Sequence, residues 1–289
     1  DHRDAHLPPP GPGVKPLAHP LSPAQSARGY ASLLFRALQA NFAYKGSTLI
    51  GLFTAALVYA ITLLVWRHVY AQKGGSLALP PDQMFAYLAL AFCLNYALTI
   101  NIDQRVGQRI RLGLIATDLL KPLDFQMTQA MQSLSDCLFN SLIGAAVFAA
   151  AYLFLGPSLL PQSLPAFLLF LPSLALAFWI QYGIVFIFIQ GAFYTYSGYG
   201  ILTSRIALHQ TFSGLQAPLL LYPPLLRGLG DWLPFRHVIY TPILLYQGLA
   251  QGAEAWRLLA WQAFWALGLY LAGRWLMRQA LSQLEIQGG

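Results

Sequence analysis

Six stretches of roughly 20 mostly apolar residues, each long enough to cross the ~30 Å hydrocarbon core of a bilayer as a helix, constrain this chain more than any other feature. They run from Gly46 to Trp66, Gln83 to Ile102, Leu134 to Leu155, Ala166 to Gln190, Tyr199 to Tyr222 and Ala255 to Met277. Backbone in lipid must satisfy its own hydrogen bonds, so windows of this length fold as helices. The expected fold is therefore all-α and polytopic, with six transmembrane helices. The fifth window is interrupted by Thr203, Ser204, Arg205, His209, Gln210 and Pro218, and the sixth is rich in Trp and bounded by Arg257 and Arg274. Of the 289 residues 57% are hydrophobic and 9% charged. A soluble enzyme would need about a quarter of its residues charged, and that class is excluded.

The net charge of +7 is spread singly or in short groups between the apolar runs, which fits membrane flanks and not a nucleic-acid surface. Placing the N-terminus inside puts Arg28, Arg36, Lys45, Arg105, Arg109, Arg111, Lys121, Arg274 and Arg278 on the cytoplasmic side, with Arg3 and Lys15 of the leading segment. The outer side then holds only Arg67, Lys73, Arg227, Arg236 and Arg257, and Arg205 lies inside a span. Positive residues are retained inside, so both termini are expected in the cytoplasm. Residues 1–24 are Pro-rich, start at Asp1 in the manner of a trimmed chain, and read as a disordered tail ahead of a single transmembrane domain over 25–289.

The segments between the windows differ in kind. Ser26 to Lys45 carries Tyr30, Leu33, Leu34, Leu38 and Phe42 at helical spacing, which predicts an interfacial N-terminal helix; the alternative is an extension of the first span. Asp103 to Ser133 is the one substantial inner connection. In it Arg105 and Arg109 share a helical face, and Pro122 ends a short helix. The other inner loop, Gly191 to Gly198, has no charge. On the outer side Pro223, Pro224, Asp231, Pro234, Phe235 and Pro242 punctuate an apolar run from Leu219 to Gly248 too often for a continuous span. Two short re-entrant helices dipping into the outer leaflet between spans five and six, joined by a turn from Asp231 to Pro234, fit that pattern.

Residues for chemistry are missing. The sequence has no Gly-rich loop ending in Gly-Lys-Ser/Thr, no HExxH and no GxSxG. Cys93 and Cys137 have no ligand spacing, the six histidines are scattered, and no metal site is expected. Arg205 and His209, four apart in the fifth window, either line an aqueous or substrate-facing cavity, or Arg205 snorkels to phosphates. Aromatics from Phe178 through Tyr182 to Tyr199 read either as an interfacial belt or as a wall for amphipathic, lipid-like cargo. Tyr182, Arg205 and His209 are the candidate translocation path. Asp136, at the inner edge of the third window, is the nearest approach to an intramembrane carboxylate.

The run GLIATDLLKPL from Gly113 to Leu123, the LPFR of Leu233 to Arg236, the YTP of Tyr240 to Pro242 and the closing QGG from Gln287, in this order and on these sides of the membrane, resemble the ABC type-2 exporter permeases. The resemblance covers about residues 25–289. It implies the permease subunit of an ATP-driven exporter in a bacterial inner membrane, pairing with a second permease, identical or homologous, and with two cytoplasmic ATPase subunits. ATP and Mg would sit on those subunits, and this chain would hold no cofactor and catalyse nothing itself. It also implies a coupling helix on the inner loop at Arg105, Arg109, Arg111, Asp118, Lys121 and Pro122, and an outer segment that caps the exit path. The competing expectations are a secondary transporter or channel, which needs inverted repeats and midplane ion sites, and a membrane anchor subunit without transport.

Overall fold

The computed structural model describes residues 22–43, 45–73, 77–111, 117, 122–191 and 198–287. Most of the Pro-rich tail, Asp118, Lys121 and the inner loop at 192–197 lie outside the described residues, as does the side chain of Arg111. The described residues are helical with no strand, in ten α-helices. These are α1 Pro23–Ala43, α2 Lys45–Lys73, α3 Pro81–Ala97, α4 Ile102–Arg111, α5 Phe125–Leu155, α6 Leu164–Gly191, α7 Gly198–Phe212, α8 Pro224–Trp232, α9 Tyr240–Tyr246 and α10 Gly252–Gln287.

Local chemistry sets the helix ends. Pro81 opens α3 with Asp82 in its first turn, where a missing N–H costs nothing and a carboxylate complements the helix dipole. Asp124 caps α5 by accepting from the Met127 N–H at 2.9 Å. Gly156, at φ 63°, ends the same helix, and Pro157 follows.

Among the described residues, three helical stretches are both long and apolar enough to cross a membrane: 81–109, 125–159 and 164–191. They contain the second, third and fourth windows, and α2 and α10, at 29 and 36 residues, contain the first and sixth. Two boundaries differ from the sequence reading. The third window begins nine residues into its helix, because Phe125 to Ser133, with three Gln and a Thr, is too polar to score as apolar yet good helix-forming material. In the fifth, the helix stops at Phe212 instead of running to Tyr222. The backbone turns at Gly214 (φ 83°), where a Cβ would sit 2.6 Å from the Tyr87 hydroxyl, and Pro218 then opens a 3₁₀ turn over Leu219–Leu221.

Contacts fix the relative direction of the helices. Tyr59 meets Phe92 and Tyr70 meets Phe85, so α2 and α3 run antiparallel. Asn140 reaches the Thr99 carbonyl and Gly144 abuts Cys93, so α3 and α5 are antiparallel too. Phe125 packs on Phe186 near the end of α6. Gly191, at that same end, faces Ile201 near the start of α7, which turns back. Along α6 and α10 the pairs Ser173 with Gln262, Gly183 with Leu269 and Gln190 with Gly273 advance together, so these two are parallel. The bundle thus alternates in direction through α2, α3, α5, α6, α7 and α10.

Small residues and amides hold it together. A Cβ on Gly183 would lie 2.7 Å from Leu269 Cβ, and one on Gly273 3.0 Å from the Phe186 ring, so glycine brings α6 and α10 into close contact. Gln126 donates to the Tyr270 carbonyl at 3.0 Å and Gln190 to the Gly273 carbonyl at 3.1 Å. Where the sequence predicts an interfacial helix, α1 lies alongside α5 in the same direction. Its contacts progress from Gly29 on Leu123 and Tyr30 on Asp124 to Phe42 on Phe139.

Candidate functional site

The second apolar stretch breaks at Leu98 to Asn101 and restarts as α4. Neither Pro nor Gly causes this. Asn95, Thr99 and Asn101 are weak helix formers; the Thr99 hydroxyl bonds back to the Asn95 carbonyl at 2.9 Å, and Asn140 takes the freed Thr99 carbonyl at 3.4 Å. The restart sets Asp103 in the first turn of α4, on the favourable end of the helix dipole. Ile102 and Val106 anchor α4 in the core and leave its charged residues on the flanks.

Two ion pairs leave α4 toward opposite sides. Arg105 Nη1 meets Asp136 Oδ2 on α5 at 2.6 Å, and Asn41 of α1 donates to the other oxygen of the same carboxylate at 3.2 Å. Asp103 Oδ2 meets Arg205 Nη2 on α7 at 2.7 Å, with both side chains at most 15% exposed. Breaking such a buried pair by removing one partner costs about 3–5 kcal/mol, because the other charge is stranded. A ten-residue helix is therefore tied to α1 and α5 on one side and to α7 on the other.

Beside the Arg205 pair lies a cavity of about 280 Å³ between α3, α4, α6 and α7, lined by Asn95, Gln104, Gln181, Arg205, His209 and Gln210 among others. His209 Nε2 lies 3.3 Å from Asn95 Oδ1. The His209 Nδ1 and Gln181 Oε1 atoms are buried with no hydrogen-bond partner among the described residues. Such atoms are costly to leave unmet, which suits a polar ligand or water in the cavity.

Of the residues singled out in the sequence, Arg205 and His209 come together at this cavity. Arg205 pairs with Asp103, where the sequence offered an open cavity wall or lipid phosphates. Tyr182 is elsewhere: it is fully buried and donates to the Gln126 carbonyl, while its neighbour Gln181 faces the cavity. Arg105 and Arg109 share α4 as expected, with Arg105 turned to Asp136 and Arg109 lining a second cavity toward α5. Pro122 is exposed just before α5.

The opposite end of the bundle is built on backbone bonds. Pro223 is extended and Pro224 opens α8, an amphipathic helix whose Leu225, Leu229 and Trp232 are exposed. Asp231 pairs with Arg236, whose guanidinium also lies over the Tyr240 ring at 5.3 Å. Pro234, Phe235 and Pro242 are buried in the return through a 3₁₀ turn into α9. The two short helices expected there are present, joined through Leu233 and the 3₁₀ turn Pro234–His237. Their irregular connections are satisfied from neighbouring helices. Tyr87 donates to the Gly214 carbonyl at 2.6 Å and Trp66 to that of Gln216 at 3.1 Å; Gln262 serves the carbonyls of both Ser173 and His237.

Sequence reasoning did not single out Asn95, Gln181 or Gln262 as working side chains, nor Asp103 as the partner of Arg205. The first three carried a usable signal, an amide side chain in the interior of an apolar window.

The family of ABC-2 family transporter proteins matches this chain over residues 56–288, from within α2 to the end of α10. No curated protein matches it at a significant level. The matched region takes in the broken second stretch, both ends of the bundle, α2 from residue 56 on and all the later apolar helices. With apolar helices long enough to cross a membrane and a family match over most of its length, the chain belongs to the ABC-2 transporter family, as a transmembrane permease component of such a transporter.

Proposed function

We propose that this chain is the permease subunit of an ATP-driven exporter, with six spans formed by α2, the α3–α4 stretch, α5, α6, α7 and α10. The alternating direction of these helices supports six crossings with both termini on one side, and the basic residues at that end favour the cytoplasm of a bacterial inner membrane. The outer segment at α8 and α9 is then re-entrant and caps the path. The cavity at Arg205, His209 and Gln181 is its inner mouth, and amphipathic or lipid-like cargo suits the aromatic α6. ATP and Mg belong to two separate ATPase subunits, and a second permease, identical or homologous, completes the transporter.

The observation that carries this reading is the double tethering of α4. ATPase closure can move the spans only through an element with different contacts in the two states. A short helix at the cytoplasmic end, joined by ion pairs to α5 and α7, passes a push at Arg109 and the following loop to both sides of the cavity. An ion-coupled carrier would need a carboxylate poised to take a proton or cation, and both Asp103 and Asp136 are engaged by arginines.

Arg109→Gln tests the docking surface by removing a charge that belongs to neither ion pair, without adding a carboxylate beside Arg105. Pulling the tagged chain from native membranes is expected to bring an ATPase subunit with it, and the variant is expected to lose that subunit and the associated ATP hydrolysis about tenfold or more, as for a lost charge-assisted contact. Full retention of the ATPase by the variant would refute docking at α4, and absence of any ATPase from the wild-type complex would refute the exporter.

A further inference from the structure

Between α4 and the first two turns of α5 lies a cavity of about 290 Å³, lined by Arg105, Gln108, Arg109, Thr128, Gln129 and Gln132, with Phe125 as the one apolar lining residue. It is separate from the cavity at Arg205, on the other face of α4. Arg105 spends Nη1 on Asp136, yet its Nε and Nη2 atoms are buried with no hydrogen-bond partner among the described residues. Gln129, only 4% exposed, likewise has a buried Oε1 with no partner among them. Two guanidiniums, a hydroxyl and several amides around a half-open cavity are a donor set for a tetrahedral oxyanion, since guanidinium groups bind phosphate oxygens through paired, charge-assisted hydrogen bonds.

Depth narrows the source. Thr128 lies six residues before Leu134, where the apolar part of α5 begins, which is about 9 Å along the helix and places the cavity at headgroup level. We infer that this cavity between α4 and α5 binds a phosphate-bearing anion, with the headgroup of an inner-leaflet anionic lipid or a free phosphate as the two sources of the same chemistry. The side of the membrane rests on the topology proposed above; the donor set does not. An anion there would draw the Arg105 guanidinium toward the cavity, give its buried unpartnered donors an acceptor, and brace α4 against α5. The permease would then be sensitive to the lipid around it.

Binding to the full purified chain in a neutral maltoside detergent tests this, read by native mass spectrometry and by the thermal shift on titration with short-chain phosphatidylglycerol and, separately, with inorganic phosphate. Saturable binding of one anion is expected. Arg109→Gln combined with Thr128→Val should weaken it about tenfold or more. Asp136→Asn, which frees Arg105 of its competing carboxylate, should tighten it severalfold, a gain that loss of structure would not produce. Preference for phosphatidylglycerol assigns the site to lipid, and equal or better binding of inorganic phosphate assigns it to a free anion; both uphold the oxyanion site. No saturable binding of either, or binding that neither variant alters, overturns it. The assay contains no ATPase and no transport step, so it stands or falls apart from the exporter reading.

Discussion

The two ends of this bundle are held by different chemistry. At the end carrying α4, side-chain charges do the joining: Arg105 to Asp136, 31 residues on, and Asp103 to Arg205, 102 residues on. At the α8–α9 end the ion pair is local, Asp231 with Arg236, and the long-range joins are neutral donors reaching backbone carbonyls: Tyr87 to Gly214, Trp66 to Gln216, and Gln262 to Ser173 and His237. The difference fits what the proposed function asks of each end. Ion pairs are strong when formed and can be exchanged for water or for a partner's charges, so they suit an element that moves. Backbone carbonyls without helical partners cannot be exchanged in an apolar setting, so the neutral end needs permanent partners.

Breaking one bond at each end should show that difference. The largest effect is expected from Arg205→Ala, which strands the Asp103 carboxylate. It should destabilise the purified chain by about 3–5 kcal/mol in denaturant or thermal unfolding. Asp103→Asn combined with Arg205→Gln, which removes both charges and keeps the polar shape, should recover most of that loss. At the opposite end Gln262→Leu removes the donor to two buried carbonyls without stranding a charge. Its cost is expected at about 1–3 kcal/mol in the same unfolding measurement, with no rescue by any charge-neutral partner change, because its partners are backbone. Equal losses from Arg205→Ala and Gln262→Leu, together with no recovery in the neutral pair, would erase the distinction between the ends.

What could be seen in the sequence follows the same division. The long apolar windows and the broken segment before α10 are written locally, in hydropathy and in the spacing of Pro223, Pro224, Pro234 and Pro242, and the short helices α8 and α9 fall where that punctuation places them. The break at Leu98 to Asn101 was hidden, because it has neither Pro nor Gly and depends on Asn140 of another helix taking the freed carbonyl. The early start of α5 was hidden by its glutamines, which are polar in a hydropathy window and helical in fact. Arg205 and His209 were legible as polar residues in an apolar window. Their surroundings were not, since Asp103 is 102 residues from Arg205 and Asn95 is 114 from His209. Tyr182 shows a second kind of hidden surrounding. Its aromatic context suggested a wall of the path, while the turn of α6 directs it into the core and gives the cavity to Gln181.

The central claim is that α4 passes ATPase closure to the spans through its ion pairs. The most direct measurement is ATP-dependent export and ATP hydrolysis, side by side, in the reconstituted complex of the permease with its co-purified ATPase, for Asp103→Arg, Arg205→Asp and the two together. The account predicts that each single reversal abolishes export while ATP hydrolysis continues, and that the double reversal, which restores an ion pair between α4 and α7, recovers a substantial share of export. Normal export in the single reversals, or equal loss in singles and double with folding intact, would contradict it.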